Sequence, residues 1–308
     1  MHWVSQMGNA LAGASVGWLA LGVLLHLANQ AVRGRGWFAV VRAASPEDGA
    51  PRRRDAILAW VAGAGAGGVV SARGGDIVRV LLLGRRAEGT RNSVLAGTLV
   101  AEAAGDALVG AAVIALAVAL GTAPAFGLPG PGTLAIGGGV LALLAALAFV
   151  VHRRGGRLAG IAAGVGRGCA PLGHPATFAC RVLPWQVGSR ALRAAAIACF
   201  LLAFSLPAGA AAVLLVMLAQ SGGRLLPLAP ASAAASVAML AAGFGPATGT
   251  HVATADVAAF MVGMSLLLTL AGAVLAVAVI CAGADRAAVW RALRPRRRAT
   301  AAGQQGRA

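Results

Sequence analysis

The stretch VLAGTLVAEAAGDALVGAAVIALAVAL, residues 94–120, decides the fold. It is longer than the ~20 apolar residues that a helix needs to cross a bilayer core. A soluble helix of that length would carry a polar stripe along its outer face, and this one shows almost none. Further apolar runs occupy Leu11–Ala28, Thr133–Val151, Leu192–Leu206 with its flanks, and Val257–Cys281. Across the 308 residues, 59% are hydrophobic and 11% charged, against roughly 25% charged in a soluble domain. Mean hydropathy is +0.81. The expected fold class is an all-α polytopic membrane protein of about 5–8 transmembrane helices. A single transmembrane domain is expected over residues 1–285, followed by a basic cytoplasmic tail without order over 286–308.

The formal charge of +17 invites a nucleic-acid reading, since basic chains neutralise phosphate backbones. The distribution argues against it. Every basic residue is Arg, and most sit in three loops and the tail, at the ends of the apolar runs. That is the pattern of charges retained on the cytoplasmic side. The tail residues Arg291–Arg298 can also touch anionic headgroups, at about 1 kcal/mol per basic residue. Cys169, Cys180, Cys199 and Cys281 show no C-x-x-C spacing and no neighbouring His cluster. They read as small apolar fillers, and neither metal nor cofactor is expected. No basic n-region precedes Leu11–Ala28 and no small-residue cleavage site follows it, so it is expected to be a retained span.

Arg counts set a topology. None occurs before Arg33, whereas Arg33–Arg54 holds six, so the first span is expected to run inwards. The Gly-rich segment 56–70 is short and lies between that cluster and a second one, Arg73, Arg79, Arg85, Arg86 and Arg91. A re-entrant hairpin there keeps both clusters on one side, and such an element is tolerated where protein or a cavity surrounds it. Val94–Leu120 then runs out to the charge-free loop Gly121–Gly132, and Thr133–Val151 returns to a basic loop carrying Arg153, Arg154, Arg157, Arg167 and Arg181, too irregular to span. Val187–Leu206 goes out again. The pieces Ala208–Ala219 and Ala231–Ala242 are broken by residues 220–230, and Val257–Cys281 comes back in. Two broken segments at comparable places, entering from opposite sides, point to an inverted repeat with a site at the breaks.

The scarce charges within these runs carry the chemistry. Glu102 and Asp106 are four residues apart, hence on one helix face, and each costs about 2.5–3.5 kcal/mol at a helix centre. Two carboxylates on one face repel, so one is protonated or both meet a cation. Either they lock helices together or they serve a site. Around the first break, Arg73-Gly74-Gly75-Asp76-Ile-Val-Arg79 offers two forked donors suited to phosphate or carboxylate. Asp76 can orient one of them, and the glycines permit a tight turn or close backbone approach. At the second break, Gly222-Gly223-Arg224 precedes Pro227 and Pro230. His26, Arg190 and Arg193 read as interfacial residues, and His251 and Asp256 as solvated ones. There is no Walker motif, Ser-His-Asp order or metal-ligand spacing.

These motifs resemble the lysylphosphatidylglycerol synthase transmembrane-region family, also called the flippase-like domain. The likeness covers roughly Leu11 to Cys281. Arg73-Gly-Gly75-Asp76-Ile-Val-Arg79 fits the R-x-G-D-x-x-R part of the family's first motif, with Ser71-Ala72 in place of Pro-Gly. Glu102 and Asp106 fit the spacing of E-R-x-x-D, with Ala103 where Arg is usual. Pro227-Leu-Ala-Pro230 partly fits P-x-x-P-G-G-x-G, with Ala231-Ser232-Ala-Ala234 replacing the glycines and Ser236 near a usual acidic position. The resemblance implies movement of lipids or polyprenyl-linked intermediates between leaflets. Larger members carry a soluble aminoacyl-transfer domain after the membrane part, and that activity is expected to be absent here. The implied substrate contacts are Arg73, Gly74, Gly75, Asp76, Arg79, Glu102, Asp106, Arg224, Pro227 and Pro230. Membrane lipids are the expected partners, with a second copy of the chain or lipid-biosynthesis proteins as further candidates. The alternatives are a membrane-embedded transferase and a noncatalytic assembly factor recruiting partners through the Arg tail.

Overall fold

The structure, a computed structural model, describes residues 8–9, 11–45, 51–69, 72–86, 90–119, 157–223, 229–250 and 252–283. The segments Gly121–Gly132 and Thr133–Val151 and the basic tail lie outside them. In chain order the α-helices are α1 (Val16–Ala44), α2 (Arg53–Val69), α3 (Ala72–Arg86), α4 (Asn92–Ala119), α5 (Arg157–Cys169), α6 (Pro175–Arg181), α7 (Leu183–Ala203), α8 (Ala210–Gly223), α9 (Ala229–Thr248) and α10 (Thr254–Gly283). Among the described residues there is no strand. Within α4, α7 and α10, residues 92–116, 183–203 and 254–279 are long and apolar enough to cross a membrane. Val262, Leu266, Leu270, Val274 and Val277 of α10 are exposed at intervals of one helical turn, the surface that a lipid-facing helix presents.

Small residues bring the helices together, as packing between apolar helices in lipid requires. Helix α1 runs antiparallel to α7: the Ser15 amide donates to the Ala203 carbonyl at 2.8 Å, Gly22 faces the Phe200 ring and Gly36 faces Trp185. Gly65 of α2 meets the backbone of Gly272 in α10, and Gly97 of α4 meets Gly168 of α5. The largest core joins Phe200, Leu215, Leu240, Phe244, Phe260 and Met264 from α7 to α10. A second core gathers Trp37, Trp60, Val80, Leu83 and Leu95 from α1 to α4.

The Gly-rich run 56–70, expected to dip in and return by itself, is instead, as far as Val69, part of one continuous helix, α2, and the return is made by α3, antiparallel to it, which carries Arg73 and Arg79 within the hairpin. An ion pair of 3.2 Å between Asp55 and Arg86 closes its base, so the Arg52–Arg54 and Arg85–Arg86 clusters share one end. Gly74 and Gly75 lie within the first turn of α3 rather than in a turn of their own; Gly75 packs on the backbone of Gly63 and Gly67. Two further expectations need correction. The first helix does not stop near Ala28 but continues to Ala44, so Arg33, Arg35 and Arg42 belong to α1 and not to a loop. The basic segment after residue 156 is helical, as α5 and α6. Asp256 stands in the first turn of α10, where its charge favours the helix N-terminus. Cys199 is buried, as a filler would be, whereas Cys180 and Cys281 are exposed.

Helix α7 ends in a backbone-closed cap. The Leu206 amide donates to the Leu201 carbonyl at 2.9 Å and the Ser205 amide to the Leu202 carbonyl at 3.1 Å. Ser205 sits at φ 55°, a left-handed conformation that costs a residue with a Cβ roughly 1–2 kcal/mol and glycine almost nothing. Ser205→Gly is therefore expected to raise stability by about 1 kcal/mol, read as a higher melting temperature of the detergent-solubilised protein.

Candidate functional site

Four faces supply the site, each set by helical spacing. On α1, His26, Gln30, Arg33 and Trp37 recur at intervals of four, three and four, and so share one face. On α4 the same holds for Thr98, Glu102 and Asp106. Helix α3 adds Asp76 and Arg79, and α7 adds Arg190. Glu102 lies ten residues into α4, roughly 15 Å of helical rise, about half of a ~30 Å hydrocarbon core.

The charges form an alternating chain. Asp76 pairs with Arg79 at 2.9 Å, Arg79 with Glu102 at 3.0 Å, Glu102 with Arg33 at 3.1 Å, Arg33 with Asp106 at 2.6 Å, and Asp106 with Arg190 at 3.5 Å. Three positive and three negative groups cancel, so the cluster is neutral while each inner member touches opposite charges on both sides. Glu102 is 4% exposed and Arg79 8%. Burial this deep is tolerable only with such pairing. Indole rings complete the cage. The Arg79 guanidinium stands 4.1 Å from the Trp60 ring centroid and 5.4 Å from that of Trp37, and Arg33 stands 5.1 Å from Trp60. The rings are held in turn, because Trp60 Nε1 donates to Gln30 Oε1 at 3.1 Å and Trp37 Nε1 donates to Thr98 Oγ1 at 3.0 Å.

Beside this chain lies a cavity of about 520 Å³. Gly63, Gly67 and Asp76 from the first hairpin line it, and so do Gln220 and Ser236 from the second broken element, α8 and α9. Arg33 and Arg79 form part of the same wall, and Met261 and Met264 of α10 an apolar one. Gln220 Oε1 accepts from Arg193 Nη2 at 2.6 Å, and Ser236 Oγ donates to the Ala219 carbonyl at 3.1 Å, tying α8 to α9. The Nε atoms of Arg33 and Arg79 are buried and make no hydrogen bond. Asp76 is the weakly held member, with its side chain 51% exposed.

Of the residues singled out from sequence, Asp76, Arg79, Glu102 and Asp106 come together here, with Gly75 supporting Asp76 from within the hairpin. Both carboxylates of α4 meet a cation, one of the two outcomes expected. Gly74 lies one residue from this group, in the first turn of α3. The side chain of Arg73, together with Arg224 and Pro227, lies outside the described residues, and Pro230 falls in the first turn of α9. Arg33 and Arg190 were expected to be edge residues; the structure puts both in the charge chain. The spacing of Gln30, Arg33 and Trp37 was the available signal for Arg33. Ala103 is exposed on another face of α4, and the cations beside Glu102 and Asp106 come from α1, α3 and α7 instead.

The chain matches the lysylphosphatidylglycerol synthase TM region over residues 2–276. It belongs to that family. No curated protein and no solved structure gives a significant match. Family membership and the apolar helices together make this lysylphosphatidylglycerol synthase TM region an integral membrane protein, and the match covers every residue that lines the cavity.

Proposed function

We propose that the protein is a multi-pass transporter of the cytoplasmic membrane, and not an enzyme, which moves an anionic lipid or polyprenyl-linked intermediate between leaflets. The observation that carries this reading is the single cavity shared by both broken hairpins, with a buried charge chain in its wall. The cavity is of the size that ligand sites have, ~300–1,000 Å³. An entering phosphate replaces Asp76 on Arg79. Forked guanidinium donors suit phosphate oxygens. Glu102 and Asp106 keep the arginines neutralised while the site is empty, so the anion is bound by exchange of one carboxylate and not into bare positive charge. Met261, Met264 and Leu268 offer the acyl or polyprenyl chain an apolar wall. The basic helix ends face the cytoplasm by the positive-inside rule.

Gly68 gives a test that leaves the charge chain intact. It lines the cavity, and a Cβ there would meet nothing closer than Thr269 at 4.0 Å. Gly68→Phe is expected to fill the cavity and slow leaflet exchange of a labelled anionic lipid in vesicles by about tenfold or more. Its melting temperature should stay near that of the parent protein. Unchanged exchange in a stable Gly68→Phe protein overturns the reading. Turnover of a lipid-phosphate donor by purified protein, blocked by the same substitution, would move the cavity to a transferase instead.

A further inference from the structure

A second polar cavity, of about 410 Å³, lies at the basic end of α1, apart from the charge chain. Arg35 and Arg42 of α1, Arg181 of α6, and the rings of Phe38 and Trp185 line it. Among the described residues no acidic one contributes to its wall, and none of the three arginines is ion-paired with a described carboxylate. This separates it sharply from the first site, where every arginine has an acidic partner. Aromatic faces hold Arg35 instead: its guanidinium stands 5.0 Å from the Trp185 ring centroid and 5.1 Å from that of Phe38. Such stacking uses the face of the guanidinium and leaves its edge donors unspent. Arg35 Nε is in fact buried without a hydrogen-bond partner. The placement is built into the backbone, because Gly36 admits Trp185: a Cβ on Gly36 would stand 3.1 Å from that of Trp185.

Three guanidinium groups around one cavity, without an ion pair among the described residues, repel each other, and an anion among them relieves that repulsion. We propose that this pocket binds a phosphate-bearing anion, and that its occupant is the headgroup of an anionic membrane lipid. The pocket lies where α1 ends and α7 begins, at the basic edge of a membrane protein, and Trp185 is a residue type favoured at headgroup depth. Basic pockets between membrane helices on that side take acidic headgroups. A free phosphate monoester presents the same oxygens, so the test separates the two sources. The site is independent of the transport reading and stands or falls without it.

Cys180 lines the pocket and is exposed, which makes it the reporter. The full chain, with Cys169, Cys199 and Cys281 replaced by Ala, is placed in nanodiscs of phosphatidylcholine alone or with phosphatidylglycerol. The rate of Cys180 alkylation by a neutral maleimide is then measured. Phosphatidylglycerol is expected to slow alkylation by about fivefold or more, and Arg35→Gln/Arg181→Gln should abolish the slowing. Arg42→Gln, in the last turn of α1, should weaken it and serves if the double variant does not fold. Equal protection by glycerol phosphate added to phosphatidylcholine discs would assign the pocket to a water-soluble phosphate with the same recognition chemistry. Equal rates under all conditions, or a slowing that persists in the arginine variants, overturns the proposal.

Discussion

Glu102→Ala is expected to destabilise the protein by about 3–5 kcal/mol, the cost of leaving buried charge without its partner. Glu102 is the central carboxylate of the chain, with one oxygen on Arg33 and the other on Arg79. Its loss leaves the buried Arg79 with only the half-exposed Asp76 and its indole neighbours. Arg33 suffers less, because Asp106 still holds it at 2.6 Å. Removing both members of the inner pair, as Glu102→Ala/Arg79→Leu, should therefore recover part of the loss. Melting curves in detergent for the two single variants and the double form a cycle, with an expected coupling of about 1–3 kcal/mol. A Glu102→Ala protein that melts within about 2 °C of the parent would show that the chain of charges contributes little.

The second large effect is steric. Gly75→Val places a Cβ against the Gly63 carbonyl and 3.0 Å from the Gly67 Cα. Those neighbours are backbone of the facing helix, so no side chain can swing aside. Overpacking of this kind costs about 1–3 kcal/mol when a core can adjust, and more when only backbone can move. Helices α2 and α3 must part, which draws Asp76 and Arg79 away from Glu102 and opens the cavity wall. Loss of lipid exchange together with lowered thermal stability is the expected result, against Gly68→Phe, which is expected to lose exchange alone. Equal stability of Gly75→Val and the parent would mean that α2 and α3 do not pack as closely as Gly63 and Gly75 indicate.

Much of the architecture was readable without coordinates. Val94–Leu120 and Val257–Cys281 identify themselves as spans because a bilayer demands length and apolarity, both local properties of a sequence. A similarly local count of arginines on both sides of a short Gly-rich run pointed to a hairpin there but not to its extent, because that run is one arm, α2, and the second arm, α3, carries Arg73 and Arg79 themselves. Asp76, Arg79, Glu102 and Asp106 stood out because a charge within an apolar run is costly and must have a reason. Arg33 and Arg190 carried no such mark. Each lies near the end of an apolar run, where an arginine is ordinarily just an anchor, and α1 proved to extend sixteen residues beyond Ala28.

The sequence by itself determined that this chain is a helical membrane protein, where its broken segments fall, and which carboxylates needed explaining, because lipid imposes those conditions residue by residue. Only the tertiary structure decided which cations answer those carboxylates and that both broken segments border one cavity. Pairing between α1, α3, α4 and α7 depends on which helices meet at glycine contacts such as Gly22 with Phe200 and Gly63 with Gly75. Gly22 and Phe200 lie far apart in the chain, and no local spacing encodes their meeting.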